Sequence, residues 1–102
     1  MELSKIKSPI SLKAYSRSNG SKFFDTYSTH FYRESDKYLI KYVGDTLYFI
    51  AQYWNPLVRH RGPVFSLLSM SDTGAVIIEQ NSNNFSEIKK LYEKIDNTND
   101  DV

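Results

Sequence analysis

The 102-residue sequence contains no cysteine, which removes disulfides and thiolate metal sites together. Glycine and proline are scarce, at four and three residues, and each glycine (Gly20, Gly44, Gly62, Gly74) stands alone. A glycine-rich phosphate loop therefore has nowhere to form. No apolar run approaches the roughly 20 residues of a membrane-spanning helix, and the N-terminal stretch lacks the apolar core of a signal peptide. A cytoplasmic protein without membrane contact is the expectation. An excess of one charge is also missing, since 13 Lys and Arg face 12 Asp and Glu, a net +1. Nucleic-acid affinity rests on such an excess, so nucleic acid is a disfavoured partner.

Aromatic side chains are what the sequence has in quantity: eight Tyr, six Phe and one Trp, 15% of the residues. Each buries about 150–250 Å², enough for one compact core at this length and for one domain only. That domain is expected over residues 1–95. Residues 96–102, Asp-Asn-Thr-Asn-Asp-Asp-Val, read as a disordered acidic tail. Three of the twelve acids and no base lie in the tail, which leaves 13 bases against 9 acids, a net +4, on the body.

A period of two dominates the chain. Ile10, Leu12 and Ala14 alternate with polar residues as in a strand, and Asn19-Gly20 then reads as a hairpin turn into Lys22–Arg33. In that second run Phe23, Tyr27 and Phe31 share the face expected to be buried. Ser8-Pro9 argues against regular structure at the start. A further hairpin joins Tyr38–Val43 to Thr46–Trp54 across Gly44-Asp45, and another joins Val64–Ser71 to Ala75–Gln80 across Asp72-Thr73-Gly74. Ala75-Val76-Ile77-Ile78 is so apolar that it reads as a central strand buried on both faces. The period changes once: Phe85, Ile88, Leu91, Tyr92 and Ile95 form one helical face, with Asn84 as N-cap and Glu87 placed for a capping box. The expected fold is α+β, an antiparallel, meandering sheet of about six strands with the C-terminal helix packed on one face. One helix cannot cover both faces of such a sheet, so several of Tyr32, Tyr38, Tyr42, Tyr48 and Tyr53 should stay partly exposed.

Constellations that carry chemistry are sparse. His30 and His60 are the only histidines and lie far apart in sequence, and neither metal-ligand spacing nor a nucleophile motif appears. No cofactor, metal or catalytic residue is expected. A metal-independent ribonuclease would draw on His30, His60, Arg59 and Arg61, but no carboxylate is spaced to orient either ring. His30 reads instead as a polar residue on the solvent face of a strand. The richest segment is Tyr53-Trp54-Asn55-Pro56-Leu57-Val58-Arg59-His60-Arg61-Gly62-Pro63. Its prolines lower the entropy lost on immobilisation, and Trp, Tyr and Arg are the residues enriched at binding hot spots. Tyr53, Trp54, Asn55, Arg59, His60 and Arg61 are therefore the candidate partner-binding residues.

A small aromatic sheet with one helix, no catalytic set and this Trp- and Arg-bearing loop resembles the immunity proteins of toxin–immunity pairs, most of all those of contact-dependent growth inhibition. The resemblance is one of overall profile. It implies a non-enzymatic bacterial protein that binds and neutralises a cognate toxin domain, such as a nuclease, by direct contact. Many immunity proteins against nucleases are strongly acidic, whereas this body is basic. That departure points to docking of Arg59 or Arg61 beside the toxin's carboxylates, or at an exosite. The alternatives are a phage-type inhibitor such as an anti-CRISPR, or a small RNA-binding or RNA-cleaving domain. Oligomeric state is left open.

Overall fold

The computed structural model describes residues 2–57 and 64–97, with side chains of the final helix placed to Ile95. The class is α+β, as expected. A 3₁₀ turn (Leu3–Lys5) precedes helices α1 (Pro9–Ser18) and α2 (Phe23–Thr26). Strands β1 (Ser28–Phe31), β2 (Arg33–Glu34), β3 (Lys37–Tyr38), β4 (Ile40–Val43), β5 (Thr46–Trp54), β6 (Phe65–Ser71) and β7 (Val76–Ser82) follow, then helix α3 (Phe85–Asn97). Residues 98–102 of the expected tail lie outside the described residues.

Five strands form one antiparallel sheet in which β5 is the organiser. On one side it pairs with β6 from Thr46↔Ser71 to Gln52↔Phe65. On the other side β4 and β1 share it end to end, with Ile40↔Phe49 in one ladder and Phe31↔Ala51 in the next. Between these ladders the chain leaves the sheet as the β2–β3 hairpin. The base of this excursion is closed by backbone bonds from Tyr32 to Ile50 (3.3 Å), Ile50 to Leu39 (3.3 Å) and Leu39 to Tyr32 (2.9 Å).

The pleat of β5 splits the core into two layers. Leu47, Phe49 and Ala51 face one way and join Leu3, Ile6, Leu12, Phe24, Phe31, Leu68 and Met70. Ile50 faces the other way and joins Leu39, Leu67, Ile88 and Tyr92. The sheet is thus covered on both faces, by α3 on one and by the N-terminal helices on the other. This corrects the expectation of a single covering helix.

The first third of the chain departs most from the sequence reading. Residues 9–18 are a helix, not a strand, because Ser8 and Pro9 build a helix start. Ser8 Oγ accepts a hydrogen bond from the Ser11 N–H at 3.3 Å, and Pro9 takes the first turn, where no N–H is needed. Leu12 and Ser16, one turn apart, supply the buried stripe. Asn19-Gly20 ends this helix and turns no hairpin. Gly20 at φ +92° allows Ser21 N–H to reach Ser16 C=O (3.1 Å) and Gly20 N–H to reach Arg17 C=O (3.0 Å), a Schellman closure. Part of the expected second strand is also helical, so Phe24, not Phe23, is the buried ring. The hairpins across Gly44-Asp45 and 72–74 form as expected. Strand β7, however, lies at the sheet edge and not in its centre.

Helix α3 starts where the sequence places it. Asn84 Oδ1 accepts from the Ser86 N–H at 2.9 Å. Glu87 closes the box indirectly: Asn84 N–H donates to Ser82 Oγ (3.0 Å), whose hydroxyl donates to Glu87 Oε1 (3.2 Å).

The end of α1 is pinned to the β6–β7 turn at Gly74. The buried Ser16 hydroxyl donates to Gly74 C=O at 2.8 Å, and the Tyr15 hydroxyl donates to Asp72 C=O at 2.6 Å. A Cβ at Gly74 would lie 2.6 Å from Asn19 Cβ, and its φ is +83°. Gly44, at φ +66°, has open space around the same position. Both alanine variants bear the left-handed strain of about 1–2 kcal/mol, but only Gly74→Ala adds a collision. Thermal denaturation should therefore show Gly74→Ala losing clearly more than Gly44→Ala, with roughly 4–8 °C of Tm per kcal/mol.

Candidate functional site

The far half of β5 carries two of the sequence-selected residues, and strand alternation sends them to opposite faces. Tyr53 points to the side of α2, where its ring lies 6.0 Å from Phe23 and 5.5 Å from Tyr27, edge-on to the latter. Phe23 and Tyr27 are themselves 5.0 Å apart. Tyr53 is thus a half-buried member of a packed aromatic group that fixes α2 on the sheet. Trp54 points to the α3 side. Asn55, just beyond the strand, turns its side chain back to accept the Leu57 N–H at 3.0 Å, which shapes the exit from β5. Arg59, His60 and Arg61 lie outside the described residues.

On the α3 side the helix does not reach the end of the sheet. Its first residue, Phe85, packs against Tyr32 (5.3 Å) and Phe65 (5.5 Å), and Tyr32 and Phe65 are 5.4 Å apart. Beyond this aromatic step the strands continue. His30 pairs with Gln52 and Ser28 with Trp54, which places four side chains on the same face. His30 is exposed, while Gln52 and Trp54 are half-buried. The His30 and Tyr32 rings meet edge to face at 5.2 Å. The Tyr32 hydroxyl donates to Gln52 Oε1 at 2.9 Å.

This platform combines an aromatic plane, an imidazole and an amide on rigid strands, directly before the segment that bears Arg59, His60 and Arg61. Such a surface can stack a planar side chain and exchange hydrogen bonds with a backbone. Among the described residues no group of three or more His, Cys, Asp or Glu is arranged to hold a metal ion. The sequence singled out Trp54, noted His30 as solvent-facing and named Tyr32 among the tyrosines expected to stay partly exposed, but Gln52 escaped it. The β1–β5 register that joins them is a non-local pairing; the one local signal was the i, i+2 spacing of Gln52 and Trp54 along an alternating strand.

A separate opening of about 500 Å³ lies between the β2–β3 hairpin and α3, lined by Glu34, Asp36, Lys37, Tyr38, Ile40 and Tyr92 among others. It is crossed on its rim by an ion pair from Lys89 to Glu34 at 2.5 Å, and the Glu34 carboxylate raises the Lys89 pKa above its usual value. Glu34 is largely exposed, so the pair fastens the hairpin only weakly.

No family model, curated protein or solved structure matches the chain. Among the described residues, no helix is long and apolar enough to cross a membrane.

Burial raises the Tyr32 phenol above its ordinary value of 10.0. Because the folded-state value exceeds the unfolded one, the group's contribution is intact below about pH 10 and is lost as pH rises through the folded value. Ionisation also removes the proton donated to Gln52. Melting temperature followed across the alkaline range should fall more steeply for the wild type than for Tyr32→Phe.

Proposed function

We propose that the chain is a partner-neutralising protein of the immunity type, which docks a cognate toxin domain on the platform formed by Trp54, His30 and Gln52. One observation carries the reading: the only Trp in the sequence stands only partly buried on the central strand of the sheet, beyond the first residue of α3. A side chain of that size on a rigid strand offers contact area at little conformational cost, the property of a hot-spot residue. The Arg59-His60-Arg61 segment follows it in sequence and adds positive charge suited to the carboxylates of a nuclease toxin. The resemblance in size, composition and loop character to immunity proteins of contact-dependent growth inhibition supports the same reading. It also implies a bacterial cytoplasmic setting. A phage-type inhibitor would use the same kind of surface against a different target.

Co-expression with a toxin domain encoded beside the gene tests this directly. The wild-type chain protects the host cell and forms a one-to-one complex. Trp54→Ala weakens that complex by at least about 2 kcal/mol, roughly 30-fold in Kd, with the fold retained. Tyr53→Ala instead lowers the melting temperature, since Tyr53 belongs to the packed group around α2. The double change Arg59→Glu with Arg61→Glu also weakens the complex. Full protection by both the Trp54 and the double-arginine variants would remove this face from the account. Salt-sensitive binding of RNA by the isolated chain, lost in Trp54→Ala, would favour the nucleic-acid alternative, in which bases stack on the platform.

A further inference from the structure

Strand β7 ends the sheet on the side away from β1 and β4, and its outer edge has the features of an interface. Ile77 is 57% exposed and Ile78 36%, on opposite faces of the strand. Edge strands are commonly guarded by Lys, by Pro or by a bulge. In β7 the one charged residue is Glu79, whose carboxylate is engaged by the Ser69 hydroxyl at 2.6 Å. The guard in β7 is a bulge: Leu68 pairs with Ile78 but Leu67 pairs with Gln80, so the irregularity falls at Glu79. The bulge ends regular pairing there and leaves Ala75–Ile78 open.

We infer that β7 pairs antiparallel with β7 of a second copy of this chain, about a two-fold axis through Ile77. The ladder within the monomer fixes which backbone groups of β7 face outward. Ser71 N–H donates to Ala75 C=O at 3.1 Å, which makes Ser71–Ala75 a hydrogen-bonded pair. Alternation then turns the backbone groups of Ile77 inward toward Ser69 and those of Val76 and Ile78 outward. With the axis at Ile77, Val76 of one copy meets Ile78 of the other in a hydrogen-bonded pair, twice over. Ile77 meets its own counterpart in the closer, non-bonded pair, and Glu79 faces Ala75.

Val76, Ile77 and Ile78 therefore each meet an apolar side chain, and no charge faces its like. Shifting the axis to Ile78 would set Ile77 against Glu79 and run the pairing into the bulge. The net charge of +1 adds little repulsion between copies. The paired segment is short, well below a standard interface, so the dimer is weak and concentration-dependent. It lies two strands away from Trp54, on the edge opposite β1 and β4, and stands or falls independently of the proposed partner.

The cysteine-free sequence makes the register directly testable. Across the axis the two Ile77 Cα atoms lie about 4.5 Å apart, inside the disulfide window of roughly 4.4–6.8 Å. The two Ile78 residues are displaced by about 7 Å along the strands. Ile77→Cys should form a covalent dimer on mild oxidation, and Ile78→Cys should do so several-fold more slowly. Sedimentation across micromolar to millimolar concentrations should show a monomer–dimer equilibrium for the wild type. Ile77→Lys and Ile77→Glu should each remain monomeric with wild-type circular dichroism, and an equimolar mixture of the two should regain the dimer. A wild type that stays monomeric throughout overturns the inference. So does equal cross-linking of the two cysteine variants, or a dimer that survives Ile77→Lys.

Discussion

Two-sided burial of β5 is the constraint on which the architecture turns. Leu47, Phe49, Ile50 and Ala51 are wholly removed from solvent, yet they point to different faces. Slipping β5 by one residue would exchange the two sets and expose both. A strand so placed needs a cover on each side, and the chain supplies one from each end: α1 and α2 from the N-terminus, α3 from the C-terminus. The contact of Ser16 and Tyr15 with the β6–β7 turn follows from this arrangement. The N-terminal layer is joined to the hairpin of the remote strands, so the ends of the chain are secured by the same sheet.

The hairpins were legible because their turns are. Gly44-Asp45 lies between two runs rich in aromatic and β-branched residues, and few structures other than a hairpin suit that order. Helix α3 was legible from its period and its cap. Helix α1 was not, because Ile10, Leu12 and Ala14 satisfy alternation while the helical signal resides in the Ser8-Pro9 start and in Ser16, a polar residue that is buried. Asn-Gly serves a hairpin and a helix end equally well, since both need a left-handed residue. Ala75–Ile78 was misplaced for a related reason: an apolar run signals attraction for other surfaces without saying whether the same chain provides them. Of the site, Trp54 was visible in the sequence. Its neighbours His30 and Gln52 come together only through the pairing of β1 with β5, which no local pattern encodes.

The surface proposed to meet a partner shares its strand with the core. Trp54 lies four residues beyond Ile50, on the same face and the same uninterrupted strand. The Tyr32 ring, packed between Phe65 and Phe85, holds Gln52 by a hydrogen bond, so the polar group on the platform is oriented by the aromatic layer beneath α3. Binding at such a place loses little conformational entropy because folding has already fixed the side chains. The segment with Arg59 to Arg61 follows Trp54 closely in the sequence.

The excursion of the β2–β3 hairpin leaves and rejoins the sheet through three backbone bonds at Tyr32, Leu39 and Ile50, and the main ladders do not depend on what lies between. Residues 33–37, all exposed, therefore form a graft point, while Tyr38 packs against the core. Closing a longer loop at an already closed base costs little extra entropy, since the penalty grows only with the logarithm of length. That cassette can be enlarged, shortened or exchanged while β4 and β1 keep their places along β5, so new recognition elements can be placed there without renegotiating the core.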